Sequence, residues 1–177
     1  MRIKDLSLRD LGLYEEQLLD FIASVSGDAV ARDRALACAG VYGRYAEIID
    51  AYCRHSGDGV EGSEALRRTV FLFWCSAAMP ACLTGVGELG ESLEQRIIQD
   101  LEDSCAAGEL DTQLHWMRGY YNAQYPTVFA RFDTARALRR VLLDTSCDDW
   151  RRAEPSPRDF NGRGLMGSFW QLVVSRA

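Results

Sequence analysis

The chain reads as an all-α protein, and three observations predict this class. Apolar residues recur at steps of three and four along most of its 177 residues. Capping residues stand in front of the periodic runs. No alternating strand pattern of useful length appears before the apolar C-terminal patch. One domain over residues 1–177 is expected, because a chain of this length buries about 70% of its unfolded surface in a single core. Its expected form is an irregular array of about six or seven helices around one buried central helix. Residues 155–177 are expected to be an irregular extension packed on that array.

The first helix follows Ser7, with Leu11, Tyr14, Leu18, Phe21, Ile22 and Val25 on one side. Ser7 and Asp10 resemble a capping box, and Gly27 is expected to close the helix in a left-handed conformation. A second, long helix is expected from Asp28 to about Arg54, with Val30, Ala37, Val41, Tyr45, Ile48 and Tyr52 as its stripe. Gly40 and Gly43 within it mark a break or a close helix crossing. Residues 55–62 read as a loop by composition.

Ser63 is expected to cap the central helix. From Thr69 to Gly87 there is no charged residue, and a 19-residue run approaches the length of a membrane span. Pro80, Ser76, Thr84, Gly85 and Gly87 thin its second half. The amphipathic helices around it need a shared partner for their apolar faces, so a buried core helix stopping near Pro80 is expected.

Ser92 with Gln95 predicts a capping box for a fourth helix, with Leu93, Ile97, Leu101 and Cys105 facing inward and Gly108 closing it. Asp111 caps a fifth, strongly aromatic helix that Tyr125-Pro126 divides. A short sixth helix from Asp133 carries Leu138, Val141 and Leu142. The terminal run Phe169–Val174 is too apolar to hang in water and is expected to dock back.

Composition excludes several functions. There are 26 acidic and 20 basic residues, a net charge of −6. That sign disfavours nucleic acid as a partner. The segment MRIKDLSLRD lacks the apolar stretch of a secretory signal, and the six cysteines show no CxxC spacing. A cytoplasmic location is expected, with no membrane contact. Cys38, Cys53, Cys75 and Cys105 are expected as buried thiols. Among the basic residues Lys4 is the single lysine, read as coding bias in a bacterial chain.

No motif survives as an active site. Gly162-Arg163-Gly164-Leu165-Met166-Gly167 matches GxGxxG, but no strand precedes it and only ten residues follow. A nucleotide loop needs both the strand and an acidic residue about 20 positions on. The motif therefore reads as a flexible turn. Cys53 stands two residues from His55, and Asp111, four before His115, could share a cation with it but is better explained as an N-cap; the paired carboxylates Glu15-Glu16 and Glu102-Asp103 read as solvated faces. No cofactor and no metal are expected.

Two features remain. Residues 88–130 hold 8 acidic and 2 basic side chains, with Glu91, Glu94, Glu102 and Asp103 on the fourth helix. Trp116 and Tyr120, beside Arg118, belong to a residue set enriched in interface hot spots, although two-sided core packing explains the aromatic stripe as well. The expected function is a non-catalytic protein-binding module, of immunity or adaptor type, recognising a basic partner through these residues. Self-association is compatible with the same composition. The alternative is a ligand-binding protein or enzyme with a pocket lined by Trp74, Tyr121, Tyr125 and Phe129.

Overall fold

The computed structural model describes residues 2–57, 59–130, 134–143 and 155–175. Among them there are ten α-helices and no strand. They are α1 (Leu8–Ser24), α2 (Ala29–Cys38), α3 (Val41–His55), α4 (Gly59–Ala78), α5 (Ala81–Thr84), α6 (Glu91–Ala107), α7 (Thr112–Gln124), α8 (Thr127–Ala130), α9 (Arg136–Leu143) and α10 (Gly164–Val174). Two 3₁₀ turns, Ile3–Asp5 and Pro157–Phe160, precede α1 and α10.

Local chemistry accounts for most boundaries. Ser7 Oγ accepts from the Asp10 amide at 3.2 Å, and Asp28 Oδ1 accepts from Ala31 at 2.9 Å. Asp111 Oδ1 accepts from Leu114 at 2.8 Å, capping α7 as its sequence predicts. Tyr125 leaves helical angles before Pro126, and α4 stops at Ala78 ahead of Pro80. Gly108 closes α6.

The central helix is α4. Every residue from Arg68 to Cys75 is buried, because α3, α6, α8 and α10 surround it. The same core cluster reaches from Leu6 to Trp170. No helix among the described residues is long and apolar enough to cross a membrane. Glu64, Arg67 and Arg68, one to five residues before the uncharged run, lie within α4 itself and hold partners inside the protein.

Several expectations need correction. The long second helix is two helices, since Gly40 adopts φ +69° and turns the chain between α2 and α3. Helix α1 ends at Ser24, before Gly27, where Arg32 donates to the carbonyls of Ile22 (3.1 Å) and Val25. The guanidinium satisfies end carbonyls that a glycine cap would otherwise pair with backbone amides. Helix α4 starts at Gly59, a turn before Ser63, and α6 starts at Glu91 without a side-chain cap. Gln95 instead donates to Glu91 at 3.1 Å.

Cys53 and Cys75 are buried and Cys105 is half-buried, but Cys38 is exposed at the end of α2. The described cysteines are all free thiols. Asp133, expected to start the sixth helix, lies outside the described residues, as do Phe132 and Cys147. The C-terminal segment docks back, yet it is largely helical. A capping box at Ser156 and Asp159 opens its 3₁₀ turn, and α10 follows. Trp170, fully buried against Trp116 (ring centroids 4.6 Å) and Phe160 (6.0 Å), anchors it. Burying an indole removes about 200 Å² from water, worth about 5 kcal/mol before entropic costs.

Candidate functional site

The residues expected to bind a partner fall into two groups. Glu91, Glu94 and Asp103 lie on the outer side of α6, Glu91 and Asp103 exposed and Glu94 half-exposed. Asp103 Oδ1 accepts from Gln99 Nε2 at 2.7 Å. Arg96, the one cation of α6, reaches back to Asp50 on α3 at 3.0 Å. The inward Asp100 is raised by burial, which Arg96 opposes and Asp103 reinforces.

Glu102, Trp116, Arg118 and Tyr120 face the protein instead. Glu102 accepts from the amides of Ala137 (2.8 Å) and Leu138 (2.7 Å), so a carboxylate of α6 caps α9. Desolvation works against its charge. The amides of Leu138, Ala137 and Arg136, with Arg140, still hold Glu102 below the ordinary carboxylate range. At the other end of α9, Arg118 donates to the Val141 carbonyl and is 7% exposed. The two charges hold α9 from opposite ends with the signs a helix dipole favours. Trp116 is 5% exposed, within the core, and Tyr120 is half-buried edge-on against Trp74 and Trp170.

Trp74, Tyr121, Tyr125 and Phe129 fill space by packing on one another. Trp74 stacks on Tyr121 at 5.0 Å, with Tyr125 edge-on at 6.2 Å and Phe129 6.3 Å from Tyr121. The cavity that Tyr121 and Phe129 share with Val70 and Leu138 measures about 20 Å³. A single water needs about 10–15 Å³ measured this way.

A second cluster, which sequence reasoning missed, lies between α1, α3, α4, α7 and α10. Glu64 receives Arg68 Nε at 2.7 Å, Arg67 Nε at 3.1 Å and Arg163 Nε at 2.8 Å, and Arg163 Nη2 pairs with its other oxygen. Burial opposes its charge, but Arg163 and Arg68 outweigh that and hold Glu64 below the usual carboxylate range. Arg163 also donates to Gln113 on α7 at 2.8 Å, and Arg67 to Asp111 at 2.8 Å. From Arg68 the chain of bonds continues to the Tyr52 hydroxyl (3.1 Å), which donates to Glu15 Oε2 at 2.6 Å.

Glu15 is 1% exposed, which overturns its expected place on a solvated face. It sits on α1 one residue from Tyr14 and three from Leu18, inside the apolar stripe, and this was the legible signal. Gly164, at φ +57°, lets α10 begin against it, because a Cβ there would lie 2.4 Å from Glu15 Oε2. The GxGxxG segment is therefore an ordered helix start and not a flexible turn. It brings a helix N-terminus against an internal carboxyl. Among the described residues no group of three or more His, Cys, Asp or Glu is placed to hold a metal.

Comparison with protein-family models, with curated proteins and with solved structures finds no match to this chain.

Proposed function

We propose that the chain is a non-catalytic protein-binding module that recognises a basic partner through the outer face of α6. Immunity-type and adaptor proteins are the functional classes this reading points to. One observation carries it. The exposed carboxylates Glu91 and Asp103 are bonded to the neutral amides of Gln95 and Gln99, while Arg96 turns away to Asp50. The face therefore keeps its negative charge, and such a field speeds encounter with a basic partner in a salt-dependent way.

Glu91, Glu94 and Asp103 form the proposed surface; Glu102 and Arg118 are engaged on α9 and Trp116 lies in the core. Affinity capture from the source cells, comparing the wild type with the E91K/D103K variant at low and high salt, tests the reading. The expected result is a basic protein retained by the wild type at low salt and lost in the variant. Equal retention by both proteins, or retention indifferent to salt, overturns it.

A further inference from the structure

Apart from the outer face of α6, the surface carries a groove of about 670 Å³ between the first 3₁₀ turn, α1 and α3. That is within the range of small-molecule sites, about 300–1,000 Å³. The turn and the residue before it supply Lys4 and Arg2, and α1 supplies Tyr14. Helix α3 adds Arg44, Glu47, Asp50 and Arg54, a row whose steps of three and four place it along one side of the helix. Four cations thus line the groove with two carboxylates, in a chain whose net charge is −6.

The carboxylates do not cancel this surplus. Asp50 is shared by two guanidiniums, Arg54 of the groove and Arg96 of α6 at 3.0 Å. Arg54 Nη1 also reaches the Lys4 carbonyl at 3.5 Å and ties the turn to α3. Arg2, Lys4 and Arg44 are exposed, and their side chains make no ion pair or hydrogen bond among the described residues. Glu47 is exposed and unengaged there too. Three uncommitted cations therefore stand with one uncommitted carboxylate. Tyr14 is half-buried and packs on the core, which gives the groove a fixed aromatic wall.

We propose that this groove binds the diphosphate group of a small organic molecule. A carboxylate carries one negative charge, and a single guanidinium fork meets it. One phosphoryl group carries about −1.5 to −2 at neutral pH, and a second adds to that, so a diphosphate matches several cations at once. Arg2 and Arg44 offer forks to its oxygens, and Lys4 offers a point charge. The groove is larger than the phosphates need, and Tyr14 provides an apolar face for the organic body. Its concavity favours a small molecule over a flat anionic surface.

NMR of the backbone amides and arginine Nε groups of the whole chain, titrated with inorganic pyrophosphate at constant ionic strength, tests the proposal. Saturable shifts are expected at Lys4, Tyr14, Arg44 and Glu47. ADP, which carries a diphosphate on a ring-bearing body, is expected to displace pyrophosphate from the same residues. The K4E/R44E variant alters exposed side chains without partners among the described residues, so the fold is expected to hold. Its pyrophosphate affinity is expected to fall at least about tenfold, the worth of one lost charged contact. The R34E/R139E variant changes the net charge equally at exposed positions outside the groove, and its affinity is expected to stay within about twofold at a screening salt concentration. The absence of saturable shifts, or equal losses in the two variants, overturns the proposal. Pyrophosphate that ADP fails to displace also overturns it, because the groove then holds an inorganic ion alone. Binding to phosphatidylserine vesicles without a response to pyrophosphate overturns it in favour of a membrane surface.

Discussion

Gly164 and Glu15 are in direct contact, the backbone of one against the carboxyl of the other, with no room for a side chain at position 164. The contact explains why a glycine-rich run stands where α10 begins. It also shows how the Glu15 carboxyl is kept out of water, since the closing wall is backbone, whose Leu165 amide only partly offsets the burial that raises it.

Gly164→Ala is expected to destabilise the protein by about 1–3 kcal/mol through its positive φ, with more from the collision with Glu15. Gly162→Ala shares a positive φ, +67°, but meets nothing within 4 Å. Urea denaturation of the two variants separates strain from contact. Equal losses would show that the approach to Glu15 is unimportant.

Glu64→Ala removes the shared acceptor of Arg67, Arg68 and Arg163; Arg67 keeps Asp111 and Arg163 keeps Gln113, but the buried Arg68 loses its only carboxylate partner among the described residues. A loss of about 3–5 kcal/mol is expected. Arg54, paired with Asp50 and well exposed, provides the comparison. Arg54→Ala is expected to cost under about 1 kcal/mol in the same denaturation experiment.

Global stability is expected to fall as pH rises from the ordinary carboxylate range to about 7. In that window the folded chain retains a proton on Glu15 that the unfolded chain has lost, and the loss amounts to a few kcal/mol, roughly 3 at most. Glu64 and Glu102, both held below the usual range, act in the opposite sense. Their contribution is present above the ordinary carboxylate pKa and is lost as pH falls through their folded values. Denaturation midpoints at closely spaced pH values should therefore pass through a maximum on the acid side of neutrality. Asp100, also raised by burial, acts in the same sense as Glu15, so in Glu15→Gln the decline from there to pH 8 should shrink markedly.

Glu102→Ala uncaps α9 and is expected to cost about 1 kcal/mol. Exchange should rise in the amides of Ala137 and Leu138, which the carboxylate receives. Glu91→Ala should leave α9 untouched, because its one hydrogen bond shown is to Gln95 within the same helix. Amide exchange of the two variants, compared over α9, distinguishes a cap from a surface charge.

The helical class and its central buried helix were legible in the spacing of apolar residues, because a stripe at 3.6-residue period reports burial directly. Caps at Ser7, Asp28 and Asp111 were legible because the acceptor and its amide lie within three residues. The roles of Glu102 and Arg118 were not. Each meets α9 across more than twenty residues of chain, and charge patterning alone cannot tell a carboxylate facing solvent from one facing another helix's amides. Glu15 was misjudged through its neighbour: Glu16 beside it is exposed, and adjacent carboxylates on a helix lie about 100° apart, enough to place one inside and one outside. Arg32 ending α1, where Gly27 was expected to, was hidden for the same reason, since no local pattern announces a guanidinium arriving from the next helix.

The polar bond joining Arg163 to Glu64 spans 99 residues of chain, and Trp170 completes a core whose first member is Leu6. During synthesis the aromatic walls around Trp170 must wait until α10 has left the ribosome. Closure of so wide a loop is entropically slow, so collapse of α1–α7 should run ahead of final consolidation. A chaperone meeting the nascent chain would find its sticky surface at the unfilled seat of Trp170.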